Sequence, residues 1–102
     1  MLELRPNCEL CDCDLRPEDN RARIYSYECT FCVECVDNVL SNVCPNCGGG
    51  FVPRPIRPLL ARREGVSRLD HPPSTKRRYT KYTRAELLAF ATLHKDVDPT
   101  ER

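Results

Sequence analysis

The sequence predicts a small α+β domain stabilised by bound metal, followed by an extended strap and a C-terminal helix. Three observations predict this fold class. All eight cysteines of the 102-residue chain lie between residues 8 and 47, prolines and arginines then dominate as far as residue 82, and helix signals begin at residue 83. The folded cysteine module is therefore expected over residues 1–52, with the strap over residues 53–82.

A module of this length buries too little apolar surface to offset chain entropy unaided, so it needs metals or disulfides. The first six residues contain no basic stretch followed by an apolar run, so no secretory signal is expected. The expected compartment is the reducing cytoplasm, where disulfides are rare. No apolar run approaches the roughly 20 residues of a membrane span, so no membrane partner is expected.

The cysteines form three clusters whose spacing is typical of metal knuckles. A Cys-x-x-Cys turn points two thiolates at one point, and backbone amides donate hydrogen bonds to the sulfurs. A tetrahedral Zn²⁺, about 2.3 Å from each sulfur, needs two such pairs. Eight cysteines therefore predict two zinc ions, with the ligands Cys8, Cys11, Cys13, Cys29, Cys32, Cys35, Cys44 and Cys47. Gly48 follows the last knuckle, where glycine permits a positive φ.

Two stretches resemble a RING finger. The run from Cys29 to Val36 is similar to the central RING motif, and Cys44-Pro45-Asn46-Cys47 is similar to its last knuckle. The resemblance implies a RING-like or treble-clef fold with a short helix near residues 37–41. It also implies cross-braced ligand sets, one of Cys8, Cys11, Cys32 and Cys35, the other of Cys13, Cys29, Cys44 and Cys47.

One feature departs from the RING pattern. The third RING ligand normally lies one to three residues before the fourth, but residues 23–28 contain no cysteine. Cys13 would have to replace it, which requires the chain to turn at Asp12. A sequential pairing (Cys8, Cys11, Cys29 and Cys32, then the rest) and a ribbon pairing (Cys8, Cys11, Cys44 and Cys47, then the rest) remain open.

An iron–sulfur cluster is the alternative metal centre. Cys29, Cys32 and Cys35, followed by Cys44-Pro45, resemble a bacterial ferredoxin motif. In that motif three residues separate the third and fourth cysteines, whereas here eight residues lie between Cys35 and Cys44. A single cluster would also leave four cysteines without a role, so zinc is favoured.

The net charge changes sign along the chain. Residues 1–50 contain four arginines and nine acidic residues, a net charge of −5, whereas residues 51–84 carry +8 and residues 85–102 carry −2. Basic and aromatic residues alternate in one segment and suit phosphate contact and base stacking. These candidate nucleic-acid contacts are Lys76, Arg77, Arg78, Tyr79, Lys81, Tyr82 and Arg84. The favoured interpretation is that this segment stays solvated or folds back onto the acidic module.

The C-terminal helix is expected over residues 83–97, with a short tail at residues 98–102. Thr83 and Glu86 form the pattern of a capping box, in which each side chain bonds the other residue's backbone amide. Apolar residues follow, and Asp98-Pro99 stops the helix. A helix this short needs a docking surface to be stable.

The first 58 residues closely resemble the bacterial cysteine-rich family known as domain of unknown function 1272. The matching stretches include Arg5-Pro6-Asn7-Cys8 and extend over residues 5–15, 28–32, 44–49 and 51–58. The resemblance implies a bacterial protein and no established activity. The helix after residue 82 lies beyond the usual end of the family.

Catalysis is not expected, because eight cysteines fill two zinc sites and leave no open position for a reactive water. His71 and His94 lie far from the cysteines in sequence, and no small-molecule substrate is evident. The expected function is a protein-interaction or regulatory adaptor with an unidentified protein partner. Nucleic-acid binding through residues 76–84 is the alternative, and a redox or zinc sensor is the third.

Overall fold

The computed structural model describes all 102 residues and shows an α+β fold, as the sequence predicts. Three short strands form one antiparallel sheet, β1 (Ala22–Ile24), β2 (Thr30–Cys32) and β3 (Val52–Pro53), in the order β2-β1-β3. A helical turn, α1 (Val33–Cys35), continues as a π-helical turn (Val36–Leu40). The helix α2 (Arg84–His94) and a 3-10 turn (Pro99–Glu101) complete the chain.

The central strand and helix place the middle cysteine cluster at one end of the sheet. Cys32 pairs with Ala22 at the end of β2, and the chain passes directly from Cys32 into α1. The short helix expected near residues 37–41 is therefore present, but it begins earlier, at Val33. It ends where Ser41 and Asn42 adopt left-handed backbone conformations, which turn the chain toward the last knuckle.

The hydrophobic core lies between the sheet and the π-helical turn. Leu15, Phe31 and Leu40 are fully buried, and Phe51 packs edge-on against Phe31 with ring centroids 5.6 Å apart. Three buried cysteines, Cys8, Cys32 and Cys35, belong to the same cluster, so candidate metal ligands form part of the core.

The strap lies on the module rather than extending into solvent. The buried guanidinium of Arg54 donates hydrogen bonds to the carbonyls of Arg5 (2.8 Å) and Arg16 (2.9 Å). Arg57 donates to the carbonyls of Leu2 (2.9 Å) and His71 (2.8 Å). Two arginines thus attach the strap to the N-terminal segment.

Residues near the end of the strap also contact the N-terminal segment. The backbone amide of Thr80 donates to the carbonyl of Glu9 at 2.7 Å. The side-chain amide of Asn7, which is fully buried, forms two hydrogen bonds with the backbone of Arg78, at 2.8 and 3.1 Å. The Asn7 side chain supplies one donor and one acceptor, so it pairs with the Arg78 backbone in the way that a residue of a neighbouring strand would.

Helix α2 begins after Thr83, and the capping box with Glu86 is present. The helix ends at His94, three residues before the predicted end, and the Val97 amide then closes a turn onto the His94 carbonyl. Leu87 and Ala91 are buried, and Leu87 joins the main core. Docking therefore stabilises a helix that would be marginal alone.

No helix in the structure combines the length and the apolar character that crossing a membrane requires.

The buried position of Leu87 predicts a measurable contribution of α2 to stability. Replacing Leu87 with Ala should lower the free energy of unfolding by about 2–5 kcal/mol, because it leaves a cavity beside the π-helical turn. The adjacent Leu88 is 44% exposed, so Leu88→Ala should change the free energy by only about 0.5 kcal/mol. Denaturant unfolding of metal-loaded protein measures both, and equal effects would show that α2 does not dock as described.

Candidate metal centre

The first cysteine cluster forms a closed loop. The Cys8 amide donates to the Cys13 carbonyl at 2.9 Å, and the Asp12 amide donates to the Cys8 carbonyl at 3.0 Å. Asp12 adopts a left-handed conformation with φ of 64°, which reverses the chain between Cys11 and Cys13. The reversal brings the three sulfurs of this cluster to the same side of the loop.

A fourth sulfur from the end of β2 completes this group. The sulfurs of Cys8, Cys11, Cys13 and Cys32 all lie within 4.8 Å of one another. The Cys11 and Cys32 sulfurs are 3.8 Å apart, and a tetrahedral ion with bonds of about 2.3 Å would hold sulfurs about 3.8 Å apart. The group therefore fits a four-coordinate metal ion.

A fifth sulfur lies beside the group. The thiol of Cys35 is buried and interacts with the thiols of Cys8 and Cys32. Burial is the main cause that raises the pKa of Cys35. Cys35 therefore lies near the group, but its sulfur is not one of the four that lie within 4.8 Å of one another.

The backbone prepares the first knuckle for a negatively charged sulfur. Burial raises the pKa of the Cys8 thiol, whereas hydrogen bonding from the backbone of Cys32, Cys11 and Leu10 opposes that rise, and hydrogen bonding from the Cys13 backbone favours the thiolate of Cys11. Such hydrogen bonds stabilise thiolates, the form in which cysteine binds metals.

The last knuckle repeats this pattern. Burial raises the pKa of Cys44 to about 12, whereas hydrogen bonding from the backbone of Asn46 and Cys47 opposes that rise. The amide of Gly49 donates to the Cys47 sulfur at 3.4 Å. Gly48 has a φ of +80°, as its position after the knuckle predicts.

Cys29 lies near the last knuckle rather than in the first group. Its sulfur accepts hydrogen bonds from the Tyr25 hydroxyl at 2.9 Å and from the Asn46 side-chain amide at 3.1 Å, and the Arg5 guanidinium also interacts with it. Asn46 lies between Cys44 and Cys47 in sequence, so its hydrogen bond holds Cys29 beside the last knuckle. These three sulfurs do not form a second group within 4.8 Å.

The thiols of the first group ionise differently. Partial burial opposes ionisation of Cys11, but hydrogen bonds from the Cys13 amide and from neighbouring thiols outweigh it and lower the pKa of Cys11 to about 7. Partial burial and the proton that Cys13 shares with Cys11 raise the pKa of Cys13 to about 12. Cys11 is also exposed to solvent.

Glu9 is a site residue that the sequence analysis missed. It lies between the first two cysteines and is only 5% exposed. Its amide donates to the Thr30 carbonyl at 3.0 Å, while its carboxylate accepts from the Thr30 amide and from Arg5. These bonds attach the first knuckle to β2 and so bring Cys8 and Cys11 to Cys32. The sequence pattern around two cysteines does not distinguish a buried glutamate from an exposed one.

The sulfur positions differ from the cross-brace pairing expected from the RING resemblance. That pairing places Cys13 with Cys29, Cys44 and Cys47, whereas the structure places it beside Cys11 and Cys32. The sequential and ribbon pairings do not describe this arrangement either. The physical cause is the closed loop, since the left-handed turn at Asp12 keeps Cys13 on the side of its own knuckle.

Two of the candidate nucleic-acid contacts are engaged within the chain. Arg77 forms ion pairs of 2.7 Å with both Asp12 and Asp14, and Arg78 pairs with Glu3 at 3.2 Å. The segment has folded back onto the acidic module, the interpretation that the charge pattern favoured. The arginines of this segment and the acidic residues of the module lie close together in the fold, so they form ion pairs within the chain.

The other candidate contacts have mixed environments. Tyr82 packs against the core, with the Lys81 ammonium 5.3 Å from the centre of its ring. The exposed members of the set are Lys76, Tyr79, Lys81 and Arg84. His94 packs edge-on against Phe90, and neither His94 nor His71 joins the cysteine group.

Comparison with known proteins identifies the family. The model of the family "Protein of unknown function (DUF1272)" matches residues 1–57, more than half of the chain. The chain belongs to this family. An uncharacterised protein of Rhizobium meliloti (strain 1021) is 57% identical over 58 residues, which are 57% of this chain and 69% of that protein. No solved structure matches the chain significantly.

The matched region contains all eight cysteines, Glu9 and Arg54. It ends before the basic segment and before α2. The cysteine cluster is therefore part of the DUF1272 domain, whereas the contacts made by residues 58–102 lie outside the match.

The position of Cys32 at the junction of knuckle, sheet and helix predicts that it is essential for folding. A structural zinc contributes about 10–16 kcal/mol in small fingers, so Cys32→Ser should unfold the module rather than weaken it. Glu34→Gln, an exposed neighbour on the same helical turn, is the control and should retain the wild-type fold. Metal analysis and NMR dispersion measure both variants. A folded Cys32→Ser protein with full metal content would contradict this assignment.

Proposed function

We propose that this DUF1272 protein is a zinc-stabilised adaptor that presents a rigid surface to a protein partner in the cytoplasm. It binds two zinc ions per chain, uses all eight cysteines for metal binding and carries out no catalysis. The observation that carries the proposal is the group of four sulfurs within 4.8 Å, whose geometry suits a structural four-cysteine zinc.

A RING-like or treble-clef arrangement is part of the proposal. Its support is the short helix between the middle and last cysteine clusters, together with a last knuckle in which the Gly49 amide donates to the Cys47 sulfur. The position of Cys13 is the departure from a RING finger. The proposed fold is therefore a variant in which the first knuckle has an additional cysteine.

The strap supplies the proposed interaction surface. Five large apolar side chains of residues 52–69 are more than half exposed, namely Val52, Ile56, Leu59, Leu60 and Leu69. Arg62 and Arg63 lie among them, exposed and without an ion pair. Exposed apolar side chains concentrated in one segment are typical of interaction sites, and the free arginines favour a partner with an acidic rim.

The metal content of the wild-type protein tests the zinc part of the proposal. Protein purified without added metal should contain two zinc ions per chain and show no visible absorption. Removal of zinc by a chelator should unfold the module, because metal binding supplies its folding free energy. Iron with a brown chromophore would replace the proposal with an iron–sulfur protein. A content of one zinc ion per chain would contradict the proposed second zinc site.

Substitutions in the strap test the adaptor role. Leu59→Asp combined with Leu60→Asp should abolish cross-linking to a protein partner in cell extract, while zinc content and folding stay unchanged. Leu93→Asp is the matched control, since Leu93 is 73% exposed but lies on α2. The cross-linked partner should be sensitive to protease and resistant to nuclease. Retention of that partner by the double variant would exclude the strap as its site.

Nucleic-acid binding is the second proposal, supported by the exposed Lys76, Tyr79, Lys81 and Arg84. A salt-dependent shift with RNA or DNA that disappears when the three basic residues become glutamine would favour it. Arg77 and Arg78 are unsuitable for this test, because their removal would also disturb the acidic module. Metal release under mild oxidant would favour the third role, a redox or zinc sensor.

A further inference from the structure

Residues 57–71 form a loop whose two ends lie close together. The Arg57 guanidinium donates a hydrogen bond to the His71 carbonyl at 2.8 Å, and the Arg68 amide donates to the Pro58 carbonyl at 2.8 Å. Compact surface loops that are closed in this way are frequently functional. The loop begins where the family match ends, so its role is additional to that of the DUF1272 domain.

A cavity of about 330 Å³ lies within this loop. Seven of the eight residues that line it belong to the loop, including the cationic Arg57, Arg62 and Arg63. His71 lies beside these arginines, and Val66 forms part of an apolar wall. No acidic residue lines the cavity. Its volume falls within the range of roughly 300–1,000 Å³ that is typical of small-molecule sites.

We propose that this cavity binds a phosphomonoester, a phosphate group that is attached to a single organic group. The ester belongs either to a small molecule or to a phosphorylated side chain of a protein. The inference goes beyond the proposed adaptor function, because binding of a phosphate ester in the loop requires neither a metal ion nor the apolar side chains of the strap.

The charge of the lining favours a dianion. Arg57 donates to the carbonyls of Leu2 and His71, and none of the three arginines forms an ion pair. The lining therefore carries three positive charges and no negative one. A phosphomonoester has a charge of about −1.5 to −2 at pH 7, so it offsets more of this excess than a single carboxylate does.

The acidic residues closest to the loop do not neutralise these arginines. The Asp70 carboxylate accepts a hydrogen bond from the buried Ser67 hydroxyl at 2.7 Å and lines a neighbouring cavity instead. The Glu18 carboxylate pairs with Arg68 at 2.9 Å. Glu64 is exposed and forms no ion pair. An anionic ligand would thus meet no competing carboxylate at the cavity.

The donors of the cavity suit a phosphate group. Arg57 is half-buried, and its two hydrogen bonds to carbonyls fix the guanidinium while using only two of its five N–H donors. Arg62 and Arg63 are exposed, so their side chains can reorient onto a ligand. Guanidinium groups bind phosphate oxygens in pairs of parallel hydrogen bonds. The apolar wall beside them accommodates the organic group of an ester.

Titration of the full, metal-loaded chain with phenyl phosphate, followed by amide NMR shifts, tests the proposal. Saturable shifts should centre on residues 57–71, and their absence would overturn the proposal. Benzoate has the same ring and a single charge, so it should bind about tenfold more weakly. Phenol should not bind. Equal binding of benzoate would show that the cavity does not select phosphate, and equal binding of phenol would show that it does not select anions; either result contradicts the assignment.

Substitution of the two exposed arginines provides the second test. Arg62→Gln combined with Arg63→Gln should weaken phenyl phosphate binding by about tenfold or more, because charge-assisted hydrogen bonds are lost. The matched control combines Lys76→Gln with Arg84→Gln, which removes two exposed positive charges outside the cavity. The control should keep the wild-type affinity. An equal loss in both double variants would mean that net charge alone attracts phosphate, and the site would be disproved.

A short peptide with a central phosphotyrosine identifies the source of the ester. Binding tighter than that of phenyl phosphate would assign the site to a phosphorylated protein, and weaker binding would assign it to a small molecule. Displacement of phenyl phosphate by an RNA without a terminal phosphate would assign the cavity to nucleic acid and exclude the proposal. The variant of Leu59 and Leu60 tests the adaptor function separately, so failure of one proposal leaves the other intact.

Discussion

The meeting of the first cysteine loop with the end of β2 is the constraint on which the rest of the structure depends. Glu9 bonds the loop to Thr30 through both its backbone and its carboxylate, and Cys32 follows two residues later. Loop, sheet and helix therefore converge on one group of sulfurs. The apolar core is small and includes cysteines, so a bound metal would join elements that hydrophobic packing holds only weakly.

Polar contacts hold the second half of the chain against this module. Arg54 is buried without a carboxylate partner, and burial lowers its pKa while backbone carbonyls accept its hydrogen bonds. Asn7 pairs with the backbone of Arg78, and Arg77 bridges two aspartates beside the first loop. A segment whose large apolar side chains are mostly exposed is thus ordered by hydrogen bonds and charge, and it lies against the acidic cysteine module.

The C-terminal residues complete the surroundings of the last knuckle. Arg102 donates to the carbonyls of Asn42 (2.8 Å) and Gly48 (3.1 Å), and a Cβ added at Gly50 would lie 3.2 Å from Pro99. Leu87 from α2 enters the main core. Residues outside the DUF1272 match therefore pack against one side of this knuckle, while Asn46 and Cys47 remain exposed.

The sequence by itself determined the α+β class, the positive φ at Gly48 and the capping box at Thr83, and it marked the cysteines as candidate ligands, four of which the structure brings into one group. These features depend on spacing and on local backbone geometry, which a linear pattern records. Only the tertiary structure decided where Cys13 lies, how Glu9 and Arg54 are buried and that α2 docks. Each of these features depends on contacts between residues distant in sequence. A sulfur joins whichever site the folded backbone brings nearest, and the spacing of the cysteines alone is compatible with several ways of grouping them.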